Sequence, residues 1–373
     1  MKKFIYADNA ATTKLDKDAF AAMVPWLTDE FSNASQPYAF SRKPKKALAE
    51  ARETIAKCIN AFPEEIYFTS GGTESDNWVI KGSAFSDSKK RVTITTKIEH
   101  HAVLHACEAI ERLGYPVAYL SPDKSGVITP ESLERIITNE TRLVSIMFSN
   151  NEIGTIEPIK ELAEVAHRYG ALIHTDAVQA VGHVEIDVKD LGVDMLSASA
   201  HKFNGPKGIG FLYIRKGVDI APFNDGGAQE GGRRAGTENI AAIVGMAIAL
   251  KKNYDRLAEN ILHILKLEKL LIRELGELDY IRNGSDIHVP GNISLSFKNC
   301  DGEALLHRLD LMGICISTGS ACDNVNTQVS HVLKAIQLDE LYAKGTIRIS
   351  LGKDNSEDDA RAIAIALNRI LLP

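Results

Sequence analysis

From about residue 60 to 215, short β-rich runs alternate with segments whose apolar residues recur three or four apart, and this rhythm constrains the fold more than any other feature. Strands are expected at 66–69, 92–96, 143–148, 172–175, 195–198 and 210–214, and helices between them at 74–85, 102–113, 130–137 and 159–169. The run Leu143-Val144-Ser145-Ile146-Met147-Phe148 is almost wholly apolar, as a strand covered on both faces must be. Thr129-Pro130 supplies an N-cap and a pre-set first helical residue. Alternation of this kind implies an α/β chain with a mainly parallel sheet between helical layers. Ligands in such folds gather beyond the carboxyl ends of the strands.

After about residue 215 the rhythm changes. A glycine-rich stretch from Gly226 to Gly236 leads into a helical pattern from Asn239 to about Leu275. A strand at 293–297, a helix at 302–311, strands at 314–318 and 346–351 and a closing helix then read as a second, smaller α+β domain. Ser356 followed by Asp359 resembles a capping box for that last helix. A length of 373 residues, at roughly 150 per domain, agrees with two or three domains.

Charge and cysteine usage narrow the functional classes. With 43 Lys+Arg against 49 Asp+Glu the net charge is −6, which offers no clustered positive footprint for nucleic acid. Five cysteines without a Cys-x-x-Cys pair fit neither a disulfide framework nor a zinc ribbon, so a reducing cytoplasm is expected. The longest uncharged apolar run, Ile240 to Leu250, falls short of the ~18 residues a membrane span needs. Residues 4–7 are too short an apolar run for the core of a signal peptide. A soluble protein follows.

Several segments carry chemistry. Lys202, in Ser199-Ala200-His201-Lys202-Phe203-Asn204-Gly205, stands just past an expected strand, where a lysine can form a Schiff base; a solvated loop lysine is the alternative. Asp176 ends another apolar strand, and a carboxylate there requires a cation such as a protonated ring nitrogen, unless it caps the following helix. Gln179 lies near the same place. Ser70-Gly71-Gly72-Thr73-Glu74-Ser75 joins a strand to a helix and can cradle a phosphate on free backbone N–H groups, although a plain Gly-Gly turn explains it equally well. It is not a Walker A loop, and no dinucleotide glycine fingerprint is present. Glu99, His100, His101, His105 and Cys107 lack the spacing of a metal site, so no metal is expected; His100 reads better as a helix-start imidazole touching a ligand. Cys322, within Ser317-Thr318-Gly319-Ser320-Ala321-Cys322-Asp323-Asn324, sits in a small polar loop where an exposed thiol asks for a reason, incidental placement being the alternative.

These pieces occur together, in order, in one family. The chain resembles the NifS/IscS-type cysteine desulfurases, pyridoxal-phosphate-dependent enzymes of the class V aminotransferase group. The resemblance runs from Tyr6-Ala7-Asp8-Asn9-Ala10-Ala11-Thr12-Thr13 through Thr69–Asn77, Asn150-Asn151-Glu152-Ile153-Gly154, the Lys202 segment, Arg233–Asn239 and Ser320-Ala321-Cys322 to Ile347-Arg348-Ile349-Ser350-Leu351-Gly352. It implies a three-layer fold with a large cofactor-binding domain over 15–258 and a small domain from 1–14 and 259–373. It also implies that Lys202 holds pyridoxal 5'-phosphate covalently, that Asp176 keeps the pyridine nitrogen protonated, and that His100 stacks on the ring and exchanges a proton with the substrate thiol. Gly72, Thr73, Ser199 and His201 match the phosphate cradle, with Thr237 reaching the phosphate of the other subunit of a homodimer. Asn151 and Gln179 match residues that touch the ring, Asn151 the substrate as well, and Arg348 matches the clamp on the substrate carboxylate. Cys322 matches the nucleophile that takes sulfur from L-cysteine as a persulfide, leaving L-alanine, for delivery to an acceptor or scaffold protein. Iron–sulfur cluster assembly, tRNA thiolation and cofactor synthesis are all open as destinations, and selenocysteine lyase or aminotransferase activity is the alternative within the fold.

The chain departs from the family pattern at Ala34, Tyr38 and Ser41, where Pro, His and Gly are usual, and at Ala228, where a third glycine is usual. Apart from Ala321 and Val325, the residues from Ser317 to Gln328 are small and polar. Cys322 is therefore expected on a solvent-reachable segment that rests away from the cofactor.

Overall fold

A computed structural model of the chain describes residues 4–86, 89–318 and 329–372. The chain begins with β1 (Ile5–Tyr6), α1 (Lys17–Thr28) and α2 (Arg42–Cys58). The alternation is then β2 (Ile66–Thr69), α3 (Gly72–Ala84), β3 (Val92–Thr96), α4 (His101–Glu111) and β4 (Val117–Leu120). It continues through α5 (Pro130–Glu134), β5 (Thr141–Ser145), α6 (Ile159–Arg168), β6 (Leu172–Asp176), α7 (Val188–Leu191), β7 (Met195–Ser199) and β8 (Gly210–Ile214). Two long helices, α8 (Ile240–Asp255) and α9 (Leu257–Leu275), precede β9 (Tyr280–Asn283), β10 (Asn292–Phe297), α10 (Gly302–Leu311), β11 (Ile314–Cys315) and β12 (Ser317–Thr318). After these come α11 (His331–Ala335), α12 (Glu340–Ala343), β13 (Thr346–Ser350) and α13 (Glu357–Leu371).

The main sheet has seven strands in the order β2-β8-β7-β6-β5-β3-β4. Five of its neighbours-in-register, β4, β3, β5, β6 and β7, run parallel, and β8 is antiparallel to both β7 and β2. Strand periodicity explains why both faces are covered. Along β8, Phe211 and Tyr213 enter the core beneath α2, α6 and α8, while Leu212 and Ile214 enter the core beneath α3 and α4. Removing such side chains from water on both faces is what holds the layers together.

A second, four-stranded antiparallel sheet, in the order β12-β13-β10-β9, has its own core of Ile293, Leu295, Phe297, Ile347 and Ile349 against α9 and α13. The expected helix from 239 to 275 is two helices, because the backbone leaves helical geometry at Arg256 (φ −120°, ψ 19°). The break lets α8 pack on α1 and α2 while α9 packs on α13. The expected strand at 314–318 is likewise divided: β11 pairs with β1, and β12 pairs with β13. Helices α1 and α2 and strands β4 and β9 lie outside the expected elements. The capping box of α13 is formed, Ser356 Oγ accepting the Asp359 N–H at 3.2 Å and Asp359 accepting the Ser356 N–H at 2.9 Å. Among the described residues no helix is long and apolar enough to cross a membrane.

Candidate active site

A cavity of about 550 Å³ opens beyond the carboxyl ends of the parallel strands, where the sheet faces the residues following β1 and the strand β13. It gathers Gly72, Thr73, His100, Asn151, Asp176 and Gln179, and with them Ser199, His201, Lys202 and Arg348. Ten of the expected residues therefore share one cavity although they span 277 positions, from 72 to 348. Thr237 stands elsewhere, exposed on the glycine-rich loop and lining a separate surface hollow with Phe223 and Asn224. Cys322 lies outside the described residues, and the expectation about its resting distance goes with it.

At one end of the cavity α3 begins at Gly72, so its unpaired N–H groups face the space between Thr73, Ser199 and His201. The approach is too close for a larger residue. A Cβ on Gly72 would lie 2.6 Å from Val178 Cγ2, and Gly71 adopts φ +148°, which side chains rarely tolerate. Glu74 accepts the Ser70 N–H at 2.9 Å and pairs with Arg234 through both oxygens (2.7 and 3.1 Å), which ties the cradle to the glycine-rich loop.

At the other end Asp176 ends β6 almost fully buried, and its Oδ1 accepts the Val178 N–H at 2.9 Å. No helix directly follows Asp176: residues 178–180 form a turn, and Oδ1 caps that turn rather than a helix, so the helix-cap alternative does not hold. Burial pushes the carboxyl up to about 6, against the opposing pull of that N–H and the Lys202 charge. A cation entering the cavity at that end would meet a buried carboxylate on which the Lys202 charge already acts.

Lys202 follows β7 in a short 3₁₀ turn, and its Nζ donates to the carbonyls of Ala10 and Ala11, the latter at 2.9 Å. Its backbone carbonyl is held by His183 Nε2 at 2.9 Å. His100 caps α4 by accepting the Ala102 N–H on Nδ1 at 3.1 Å. Burial, with the nearby Lys202 charge, lowers this imidazole to about 4, so it is neutral at ordinary pH. With Nδ1 accepting, its one proton is assigned to Nε2. His201 is also lowered to about 4, by burial and the charges of Lys202 and Lys207, and its Nδ1 lies 3.1 Å from Thr12 Oγ1.

Arg348 is buried in the middle of β13, paired with Ser294 on one side and Ser317 on the other. One guanidinium nitrogen donates to the Asn151 carbonyl (2.9 Å) and another to Asp8 Oδ1 (2.8 Å), while the buried Nε has no partner. Gln179 donates to the Ala10 carbonyl at 3.0 Å. Where β12 ends at Thr318 and the described chain resumes before α11, Ser330 Oγ donates to Glu152 at 2.6 Å, and His331 Nε2 lies 3.0 Å from the Glu99 carbonyl. Sequence reasoning missed Asp8, Asp76, Glu152 and His331 as site residues. The first three lie inside segments quoted for the resemblance, but only tertiary contact shows what they touch.

The donor set fits pyridoxal phosphate. A helix N-terminus with two glycines suits the phosphate, a buried carboxylate suits a protonated pyridine nitrogen, and a primary amine on the same cavity suits the aldehyde. Comparisons with known proteins agree. The aminotransferase class-V family model matches residues 5–363. The cysteine desulfurase IscS of Dictyoglomus turgidum is 46% identical over 375 residues, covering 100% of this chain and 95% of that protein. A solved NifS-like protein superposes with a TM-score of 0.93 at 38% identity, covering 99% of each chain. A structure described as SspA in complex with cysteine gives a TM-score of 0.85 at 37% identity, covering 94% of this chain and 100% of that one.

Proposed function

This chain belongs to the aminotransferase class-V family, and from that premise we propose how its own residues perform a cysteine desulfurase reaction. The enzyme takes sulfur from L-cysteine and leaves L-alanine. The observation that carries the reading is the convergence of Lys202, Asp176, His100 and Arg348 on one cavity with a phosphate cradle at its end.

Gly72, Thr73, Ser199 and His201 would hold the phosphate, Asp176 would meet the ring nitrogen, and Asn151 and Gln179 would contact the ring. Pyridoxal phosphate, when bound, supplies the electron sink that lets charge accumulate at the substrate's α-carbon. Lys202 would hold the cofactor covalently, and its free amine would move the α-proton of the bound substrate. Arg348 spends one N–H of each terminal nitrogen on Asn151 and Asp8, which fixes its plane, and the second N–H of each is left to meet a substrate carboxylate.

His100 enters as a proton donor at Nε2. It can take the substrate's thiol proton only after releasing the Ala102 N–H from Nδ1. The thiolate of Cys322 takes the sulfur: its S–S bond forms as the substrate C–S bond breaks, and the bonding pair remains on the carbon, which gains a proton and leaves as alanine. Cys322 then holds a persulfide for an acceptor or scaffold protein.

The large domain is taken as 15–258 and the small one as 1–14 with 259–373. Exposed Thr237, apart from this cavity, serves the phosphate of a second copy in a homodimer working in the cytoplasm. Incubation with L-cysteine followed by peptide mass spectrometry tests the transfer: the peptide containing Cys322 should gain one sulfur. Gain on another cysteine, or on none while alanine accumulates, refutes it.

A further inference from the structure

Beneath the ring acid lies a second carboxyl group to which the reaction gives no role. Asp76, on α3, is 1% exposed and lines the floor of the same cavity as Asp176. Its Oδ1 is buried without a hydrogen-bond partner, and the nearest basic group is His174 Nε2 at 3.8 Å, too far for a hydrogen bond. His174 itself is fully buried and lowered to about 3 by that burial, so it brings no positive charge. The groups facing Asp76 are Asp176 and His174 from β6, Ser197 from β7 and Glu99 from the turn before α4. Among the described residues no lysine or arginine pairs with Asp76. An ionised carboxylate in that position would be uncompensated and beside another anion, which costs several kcal/mol.

The polar groups around it form a row able to accommodate a neutral acid. The Asp76 carboxyl is hydrogen-bonded to Ser197, Ser197 Oγ lies 2.9 Å from His174 Nε2, and His174 Nδ1 lies 2.9 Å from Ser145 Oγ. With a proton on the oxygen that meets Ser197, Asp76 donates to Ser197, Ser197 donates to Nε2 and Nδ1–H donates to Ser145, so the row carries no charge and Asp76 Oδ1 is its one atom without a partner.

We propose that Asp76 is a positioning residue that keeps its proton beneath the ring acid, so that Asp176 alone bears negative charge and is left whole for the protonated ring nitrogen. This rests on the reading of Asp176 given above. Burial and the Asp176 charge push Asp76 well above the usual carboxylate range, outweighing the opposing pull of the Ser197 hydrogen bond. Two carboxyl groups on one cavity floor cannot both ionise cheaply, and the one hydrogen-bonded to a backbone N–H is the one to do so.

The consequence for stability has a definite sign. A carboxyl group whose folded pKa lies above its unfolded value contributes fully below the unfolded pKa, and that contribution is lost as pH rises towards the folded one. Asp76→Asn mimics the protonated acid and does not titrate. Melting temperatures of the apoprotein should therefore favour Asp76→Asn over wild type increasingly from about pH 5 to about pH 8. Asp76→Ala, which leaves a void, should be destabilised across that range.

In fluorescence titrations at neutral pH, Asp76→Asn should bind pyridoxal phosphate within about threefold of wild type, whereas Asp176→Asn should lose tenfold or more. A melting difference independent of pH, an Asp76→Asn protein that does not fold, or an affinity loss in Asp76→Asn matching that of Asp176→Asn overturns the proposal. Full affinity in Asp176→Asn would instead count against the reading of Asp176, and the pH dependence of apoprotein melting would still decide the state of Asp76.

Discussion

Substituting alanine at Gly72 tests whether the phosphate cradle and the ring acid are mechanically one unit. The added Cβ would stand 2.6 Å from Val178 Cγ2, about 1 Å inside the separation at which carbon atoms attract. Val178 is β-branched and stiff at χ1, so much of the relief must come from its backbone. That backbone donates the N–H held by Asp176 Oδ1, hence strain introduced at Gly72 is delivered to Asp176. Overpacking of this size costs ~1–3 kcal/mol, which, if carried into binding, corresponds to roughly fivefold to 150-fold in cofactor affinity. Val178→Ala alone, at a half-buried position, should cost ~1 kcal/mol or less of stability. The pair Gly72→Ala/Val178→Ala should recover most of the lost affinity, because the clashing methyl is gone. The assay is equilibrium titration of the four apoproteins with pyridoxal phosphate, followed by fluorescence. Wild-type affinity in Gly72→Ala, or a double variant no tighter than Gly72→Ala, would refute the reasoning.

Lys202→Ala should lose the visible absorption of the lysine-linked cofactor, since the other amine on the cavity, that of Lys207, does not follow β7 directly; a band unchanged in the purified variant would remove Lys202 from that role. Apoprotein affinity for pyridoxal phosphate should fall as pH is lowered through about 6, where Asp176 takes up a proton and can no longer face a cation; affinity flat to ~pH 5 would contradict this. Cys322 should alkylate faster than Cys58, which burial pushes up to about 11, faster than buried Cys107, and faster than half-buried Cys300 and Cys315; its labelling last, or full sulfide release by Cys322→Ala, would end its assignment as the sulfur carrier.

Legibility differed with the kind of constraint. Strands β2, β3 and β8 match their expected bounds because apolar alternation and flanking turns mark them within a few residues. Strand β4 escaped notice because it lies at the sheet edge and is only partly buried, which weakens its pattern. The break at Arg256 carries no proline or glycine, so local chemistry gives no sign that α8 and α9 serve different cores. In the site, Lys202, Asp176 and His100 were readable because each stands at a strand end or helix start, positions that the chain itself announces. Asp76 was not, since on sequence it is one acid in a polar helix turn, and its meaning arises only when α3 lies over β6 and β7. The same holds for Asp8 against Arg348, 340 residues apart, and for Ser330 against Glu152.

The most direct test of the central claim is the stoichiometry of products from L-cysteine, measured on the cofactor-loaded enzyme with and without a thiol reductant. With reductant, alanine and sulfide should accumulate in equal amounts. Without it, alanine should stop near one per chain, because Cys322 fills with sulfur that nothing removes. Sulfide accompanied by pyruvate rather than alanine, a keto acid formed by amino transfer, or alanine that continues unabated without reductant in the absence of any acceptor would contradict a desulfurase that works through an enzyme persulfide.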